Sequence, residues 1–200
     1  GQLPSGDPYI VMEYLQGQSL RDRLCQQAKL AWPIAVRLTR QLADALTAAH
    51  DHGVIHRDLK PDNIMIVPDP AVVGGERVKI LDFGLAKFVN EPPVSDSLHT
   101  RSGAILGTPI YIAPEQIGSG ATAGGAADVY SLGVVLFELL AGRPPFIAAT
   151  AAEVYAKHLR DEPPRLSTLL PELPNALSEL VASMLAKQPE KRPTAKKLEE

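Results

Sequence analysis

The sequence contains few of the features on which several classes of protein depend. Cys25 is the one cysteine among 200 residues, so no disulfide forms within the chain. A membrane-spanning helix needs about 18 or more consecutive apolar residues. The most apolar run, residues 132–141, is shorter and contains Glu138. The formal net charge of −3 gives no sign of a nucleic-acid surface. A single domain with a sizeable core in a reducing compartment is the prediction.

Helical periodicity accounts for much of the chain. Apolar residues recur at helical spacing between Pro33 in a first turn and Gly53, which ends the pattern. Residues 128–140 are apolar nearly all round, which indicates a buried helix that Gly142 terminates. The remaining predicted helices begin at Leu20 after a Ser19 cap, near Ala151 to Leu159, at Leu177 to Ala186 with an Asn175 cap, and after Thr194.

Short β-favouring runs predict three strands. They are Tyr9–Tyr14, Ile64–Val67 and Val78–Leu81. Two prolines and two glycines in residues 68–77 predict a surface loop between the last two strands. Few strands beside several helices indicate an α+β domain that is mainly α.

Three motifs follow one another in a fixed order. His56 to Asn63 reads HRDLKPDN, and Asp82-Phe83-Gly84 and Ala113-Pro114-Glu115 come after it. Each motif alone is weak evidence of function, whereas chance does not explain the three motifs occurring together in this order. On these motifs the chain resembles the eukaryotic-type (Hanks-type) protein serine/threonine kinase family, and most of all its bacterial members.

The resemblance covers the chain from about Tyr9 to the C-terminus and implies a protein-kinase-like fold. Residues 1–15 would be the last strand of the N-terminal lobe and the hinge. Residues 16–200 would be the C-terminal lobe, truncated at both ends, with the N-terminal lobe absent. The catalytic loop would be residues 56–63 and the activation segment residues 82–115.

The resemblance assigns the chemistry to a few side chains. Asp58 would accept the proton of the substrate hydroxyl, and Lys60 would contact the transferred phosphate, which favours Ser/Thr acceptors. Asn63 and Asp82 would bind Mg²⁺ (or Mn²⁺) through hard oxygen atoms. Thr108 would bond to Asp58 and Lys60. The alternatives are a simple turn residue for Thr108 and a capping or surface carboxylate for either aspartate alone.

Other motif residues would regulate or support the site. Arg57 would hold a phosphorylated activation segment, with Thr100 and Ser102 as candidate acceptors. An ordinary polar loop residue is the alternative for each acceptor. The structural supports would be His56 stacked against Phe83, Gly84 in the turn after it, Glu115 paired with Arg192, and Asp128 on the backbone of the catalytic loop.

The family's nucleotide contacts carry over to the start of the chain. Met12 would stand beside the adenine, Glu13 and Leu15 would offer backbone groups to its edge, and Met65 would form the floor beneath it. A methionine in a strand is more often core filler, so only its place in the motif favours a ligand contact. Lys60, Asn63 and Asp82 would complete the ATP contacts.

The glycine-rich loop, the strand lysine and the helix glutamate of the family do not occur in the chain. Two hypotheses follow. The chain is the C-lobe portion of an active ATP-dependent protein serine/threonine kinase and is inactive by itself. Alternatively, it is a pseudokinase-like binding or docking module that lacks the N-terminal lobe. The intact catalytic letters favour the first hypothesis.

The partners that the resemblance implies are ATP, a protein substrate with a Ser/Thr acceptor, the missing N-terminal lobe in cis and a second kinase copy in a dimer, with no nucleic acid. The implied location is cytoplasmic, either free or as the cytosolic part of a membrane-anchored kinase.

Overall fold

Helices make up most of the computed structural model, which describes residues 1–9, 11–83, 109–117 and 123–199. The α-helices are α1 (Leu20–Gln27), α2 (Trp32–Asp51), α3 (Gly125–Ala141), α4 (Ala151–Arg160), α5 (Leu166–Leu169) and α6 (Asn175–Met184). Short 3₁₀ helices cover Pro61–Asn63, Pro114–Gln116, Pro189–Lys191 and Ala195–Leu198. The prediction of a mainly helical α+β domain is confirmed. Among the described residues, no helix has the length and apolar character needed to cross a lipid bilayer.

The helix α3 is the centre of the core. Every side chain from Ala127 to Leu140 is buried, including Asp128 and Glu138. Gly142 ends the helix in the left-handed region at φ 74°, where its N–H donates to the Glu138 carbonyl. The predicted buried helix and its glycine stop are therefore confirmed.

The helix α2 packs against α3 through the apolar stripe that the sequence predicts. Leu38, Leu42 and Leu46 recur every fourth residue and are fully buried. Pro33 lies in the first turn, where the missing N–H costs nothing. Gly53, at φ 72°, follows the end of the helix. The direction in which the chain leaves α2 positions the loop of residues 56–63 beside α3.

A three-stranded antiparallel sheet covers one side of the helices. Its strands are β1 (Gln18–Ser19), β2 (Ile64–Pro68) and β3 (Glu76–Ile80), in that order. In the register, Met65 faces Ser19 on one side and Lys79 on the other. Residues 69–75 form the predicted surface loop, which an Asp69–Arg77 ion pair spans at its base.

Two local predictions were wrong. Residues 11–14 form no strand, because a β-favouring run is stable only when another strand pairs with it. Asn175 lies inside α6 rather than capping it, and Pro174 occupies the cap position instead. The helix predicted after Thr194 is present as a 3₁₀ helix of four residues, Ala195–Leu198, with Thr194 at its N-cap.

A buried polar cluster joins α4 to α3 and to the chain after α6. The Tyr130 hydroxyl lies 2.9 Å from His158 Nδ1, and Phe146 packs edge-on against the same imidazole. Lys187 Nζ donates to the carbonyls of Lys157 and His158. Burial, assisted by the positive charge of Lys187, lowers the pKa of His158 to about 4. His158 is therefore neutral in the folded protein at pH 7.

We expect this histidine to destabilise the fold in acid. Its pKa is about 4 in the folded protein against 6.5 for a free histidine, so the unfolded chain binds more protons between these values. The contribution is complete above pH 6.5 and is lost as the pH falls to 4. Relative to His158→Gln, the natural protein should lose up to about 3 kcal/mol of unfolding free energy over that window. Urea denaturation at several pH values measures the difference.

His52→Gln makes the same substitution at an exposed position outside the buried cluster and is the matched control. A His158→Gln protein whose stability follows that of the natural protein at every pH would contradict the assignment.

Candidate active site

A buried carboxylate fixes the backbone of the loop formed by residues 56–63. Asp128, in the first turn of α3, accepts the N–H of His56 at 2.9 Å and the N–H of Arg57 at 2.8 Å. His50 Nε2 lies 2.9 Å from the same carboxylate. Arg57 has φ 68°, a conformation that non-glycine residues seldom adopt without such restraints. The geometry agrees with the predicted supporting role of Asp128.

His56 connects this loop to the chain that leaves β3. Its imidazole is buried, its Nε2 lies 2.8 Å from the Leu81 carbonyl, and its Nδ1 accepts the N–H of Asp58. The Phe83 ring packs edge-on against it with centroids 5.0 Å apart. The ring contact is therefore edge-on rather than the predicted stack, and both ring nitrogens of His56 are engaged within the protein.

Asp58, Lys60 and Asn63 form one hydrogen-bonded cluster. Lys60 Nζ lies 2.6 Å from Asp58 Oδ2. Asn63 Nδ2 donates to the Asp58 carbonyl at 2.8 Å and to Asp58 Oδ2 at 3.2 Å. The Asp58 side chain is 57% exposed, so a substrate can reach it. The structure thus brings three of the predicted catalytic side chains together at one accessible point.

Asp82 is attached to this cluster through the backbone. The N–H of Leu81 donates to the Asn63 carbonyl at 2.8 Å, and Asp82 follows directly. Asp82 is exposed and has φ 59°, in the left-handed region that aspartate tolerates better than most residues. Because Asn63 Nδ2 is bound to Asp58, the amide oxygen of Asn63 is left as an acceptor. An amide and a carboxylate oxygen suit Mg²⁺, whose other ligands are usually water and phosphate.

Residues 109–117 are fastened to the late helices by a buried ion pair. Both guanidinium Nη atoms of Arg192 donate to the Glu115 carboxylate, at 2.6 and 2.8 Å. The remaining N–H groups of Arg192 donate to the carbonyls of Ala126, Ala186 and Lys187. This complete set of partners explains how a fully buried arginine is tolerated, and it agrees with the predicted pair.

Gln116 ties the same segment to the loop of residues 56–63. Its Nε2 donates to the Arg57 carbonyl at 2.8 Å, and its Oε1 accepts the N–H of Ala113. The sequence analysis did not single out Gln116. Nothing in a lone glutamine next to Glu115 would have indicated this bridging role.

A second polar group that the sequence analysis missed lies at the floor of the site. Glu138 accepts the Tyr111 hydroxyl and a guanidinium N–H of Arg21. Burial beside the Glu138 carboxylate raises the pKa of Tyr111, so the hydroxyl keeps its proton. The available signal was Glu138 itself, because an ionisable residue in a buried apolar helix requires a partner.

The expected nucleotide contacts lie beside the sheet, except for Met65, which lies in its central strand β2. Met12 is 71% exposed, and Leu15 and Met65 are half-buried. The Glu13 carboxylate accepts Lys79 Nζ at 2.6 Å, which brings residues 11–15 next to the strand that pairs with Met65. The other predicted site residues, Gly84, Thr100, Ser102 and Thr108, lie outside the described residues.

Comparison with known proteins identifies the class to which this fold and site belong. The protein kinase domain family matches residues 4–200, so the chain belongs to that family. The crystal structure of Rad53 1-466 in complex with AMP-PNP is similar with a TM-score of 0.73 and 28% identity, over 94% of this chain and 44% of that one. The predicted protein-kinase-like fold is therefore confirmed.

Individual bacterial relatives are similar over nearly the whole chain. Serine/threonine-protein kinase pkn3 of Myxococcus xanthus is 38% identical over 98% of this chain. PknB of Mycolicibacterium smegmatis is 38% identical over 96%, and PknA of Mycobacterium tuberculosis is 41% identical over 92%. The predicted likeness to bacterial serine/threonine kinases is confirmed. The chain spans 35%, 29% and 39% of these three proteins, about a third of their length.

We expect the Glu115–Arg192 pair to be among the most important interactions for stability. Glu115→Gln removes the charge that neutralises a fully buried guanidinium. Breaking a buried pair from one side typically costs about 3–5 kcal/mol. The measurement is the free energy of unfolding in urea. Asp69→Asn, which removes the carboxylate of the exposed pair with Arg77, is the matched control and should leave the unfolding midpoint nearly unchanged. Equal midpoints for the two variants would contradict the assignment.

Proposed function

We propose that the protein is an ATP-dependent protein serine/threonine kinase, to which this chain contributes the catalytic loop and the substrate-facing lobe. The observation that carries the proposal is the accessible Asp58–Lys60–Asn63 cluster, with Asp82 attached to it through Leu81. The names of the bacterial relatives support the same activity.

The chemistry requires little from the protein except position and charge. Asp58 accepts the proton of a Ser or Thr hydroxyl as that oxygen bonds to the γ-phosphorus of ATP and the bond to ADP breaks. Lys60, 2.6 Å from Asp58, carries the positive charge that faces the transferred phosphoryl group. Asn63 holds the Asp58 backbone through its amide nitrogen, so one side chain orients the base and offers an oxygen to the metal.

Asn63 and Asp82 are the residues that would hold Mg²⁺. Bound there, the ion neutralises charge on the phosphates of ATP. The described residues contain no group of three or more His, Cys, Asp and Glu side chains that could hold a metal. Two protein ligands suit a metal whose remaining ligands are phosphate and water.

Arg57 is proposed to regulate the site by binding a phosphorylated residue, with Thr100 and Ser102 as the candidate acceptors. Its Nε is buried and, within the described ranges, has no hydrogen-bond partner. A buried donor without a partner is costly, and a phosphate oxygen would satisfy it.

The second candidate function is that of a docking module that lacks an N-terminal lobe and transfers no phosphate. An exposed apolar surface bears on the choice between the two functions. Val11, Met12 and Tyr14 are largely exposed, and the 200 residues contain no glycine-rich loop followed by a Val-Ala-x-Lys strand. We propose that an N-terminal lobe covers this apolar surface in the active protein. If so, the 200 residues alone should transfer no phosphate. ATP turnover by these residues, abolished by Asp82→Asn, would instead show that activity needs no further lobe.

Asp58→Asn and Asp82→Asn should each abolish phosphate transfer in the full-length natural protein while the fold remains. Loss of a general base typically costs about 10²–10⁴ in rate. Loss of Asp82 removes the charged metal ligand, so the transfer step loses its neutralising ion. Transfer of ³²P from labelled ATP to a protein substrate measures the activity, and circular dichroism measures the fold.

Asp44→Asn makes the same change from carboxylate to carboxamide at an exposed position of α2. It is the matched control and should retain full activity. Normal transfer by either the Asp58 or the Asp82 variant would contradict the proposed kinase activity.

A further inference from the structure

A cavity of about 480 Å³ opens beside Asp58 and is the place where an acceptor peptide would lie. Its walls are the loop of residues 56–63, the segment 109–112 and the side chain of Arg21 from α1. Besides Asp58, two carboxylates lie near Arg21. Asp62 lines the cavity and is 52% exposed, whereas Glu138 lies behind Arg21 and Tyr111, which both contact it, and is 9% exposed. Without a counter-charge this pair would be a binding site for a cationic side chain.

Arg21 already occupies that position. Its Nη1 lies 3.1 Å from Glu138 Oε1, and its Nε lies 3.5 Å from Asp62 Oδ2. Its Nη2 donates to the Tyr111 hydroxyl, which in turn donates to the other Glu138 oxygen. One guanidinium therefore reaches both carboxylates, and it forms a closed ring of hydrogen bonds with Tyr111 and Glu138.

The first turn of α1 holds Arg21 in this position. Ser19 caps the helix by accepting the N–H of Asp22, and the Asp22 carboxylate returns to Ser19 in a capping box. The neighbouring Leu20 is fully buried in the core. Arg21 is 32% exposed and faces the cavity from a fixed helix start, so its guanidinium does not depend on a mobile loop.

Among the described residues at the cavity, the charges are balanced as a result. Arg21, Arg57 and Lys60 are positive, Asp58 and Asp62 are negative, and Glu138 adds a third negative charge behind Arg21. Removing Arg21 alone would leave a net negative charge concentrated at Asp62 and Glu138. A partly buried carboxylate pair attracts arginine more strongly than an exposed one, because solvent screens it less.

We propose that Arg21 determines substrate specificity by filling, from within the chain, the cationic subsite that Asp62 and Glu138 would otherwise offer to a basic residue of the substrate. The inference rests on the proposed kinase function and deepens it. The substrate class is protein segments whose Ser or Thr acceptor needs no neighbouring arginine or lysine. Arg21 touches the peptide site without taking part in the transfer of the phosphate.

The test compares pairs of acceptor peptides in the full-length natural protein and in its Arg21→Ala variant. Each pair has one Ser or Thr acceptor and differs by Arg or Ala at one of the three positions on either side. The readout is the ratio of kcat/KM for the Arg peptide to that for the Ala peptide. The natural protein should give ratios near 1, and Arg21→Ala should raise the ratio by about tenfold at one or more positions, the equivalent of about 1.4 kcal/mol.

Two further variants connect the effect to the carboxylates. The double variant Arg21→Ala with Glu138→Gln should lose the acquired arginine preference, because the charge that attracts the peptide is gone. The double variant also lacks the buried carboxylate charge that Arg21→Ala alone leaves without a partner. Arg23→Ala deletes the same charge from the same helix, but Arg23 pairs with Glu76 outside the cavity, so its ratios should equal those of the natural protein.

The outcomes separate the two levels of the proposal. Transfer that proceeds with equal ratios in Arg21→Ala and in the natural protein would overturn the role of Arg21 and leave the kinase function intact. A natural protein that prefers Arg peptides by tenfold or more would overturn the role of Arg21 even where the variant fails to fold. Absence of transfer to every Ser and Thr peptide and protein tested would overturn the kinase function itself, and the inference with it.

Discussion

The carboxylate of Asp128 is the constraint on which the rest of the site depends. It is fully buried and accepts two consecutive backbone N–H groups, from His56 and Arg57, with the His50 ring as a third neighbour. A buried carboxylate is stable only when donors such as these bind it. The hydrogen bonds in turn fix the positions of the donor groups. Because Asp58 follows these two residues directly, a side chain in the core of α3 decides where the exposed Asp58 carboxylate points.

The same helix holds the opposite wall of the site. Ser131 donates to the Tyr111 carbonyl, and Glu138 receives the Tyr111 hydroxyl, so residues 109–112 are attached to α3 at two levels. Arg192 adds a third attachment through Glu115 and the Ala126 carbonyl. The loop of residues 56–63 and the segment 109–112 are therefore both attached to the same helix. Their separation is set by the spacing of Asp128, Ser131 and Glu138 along a helix, which does not change as loops move.

The sequence predicted those parts of the structure whose cause is local or whose letters form an ordered motif. The leucine stripe of α2, the apolar α3 and the glycine stop at Gly142 follow from periodicity and backbone freedom alone. The prediction of a strand at residues 11–14 was wrong, because strand formation depends on pairing with another strand, and β-propensity says nothing about such pairing. Arg21 and Tyr111 escaped prediction for a related reason. Their partner Glu138 lies 117 and 27 residues away along the chain, and no local pattern reports a contact at that separation.

Asp58 and Asp128 show how burial divides one residue type between two tasks. Both carboxylate oxygens of Asp128 accept hydrogen bonds from donors inside the core, so they are not accessible to a substrate. Asp58 is 57% exposed, and Lys60 and Asn63 both bind its Oδ2 atom. A carboxylate that must accept a proton from a substrate has to keep an unoccupied lone pair facing solvent, whereas one that positions a backbone must keep none. The ion pair of Arg21 with Glu138 extends this division to the substrate groove, where a buried carboxylate satisfied within the chain has no attraction left for an incoming arginine.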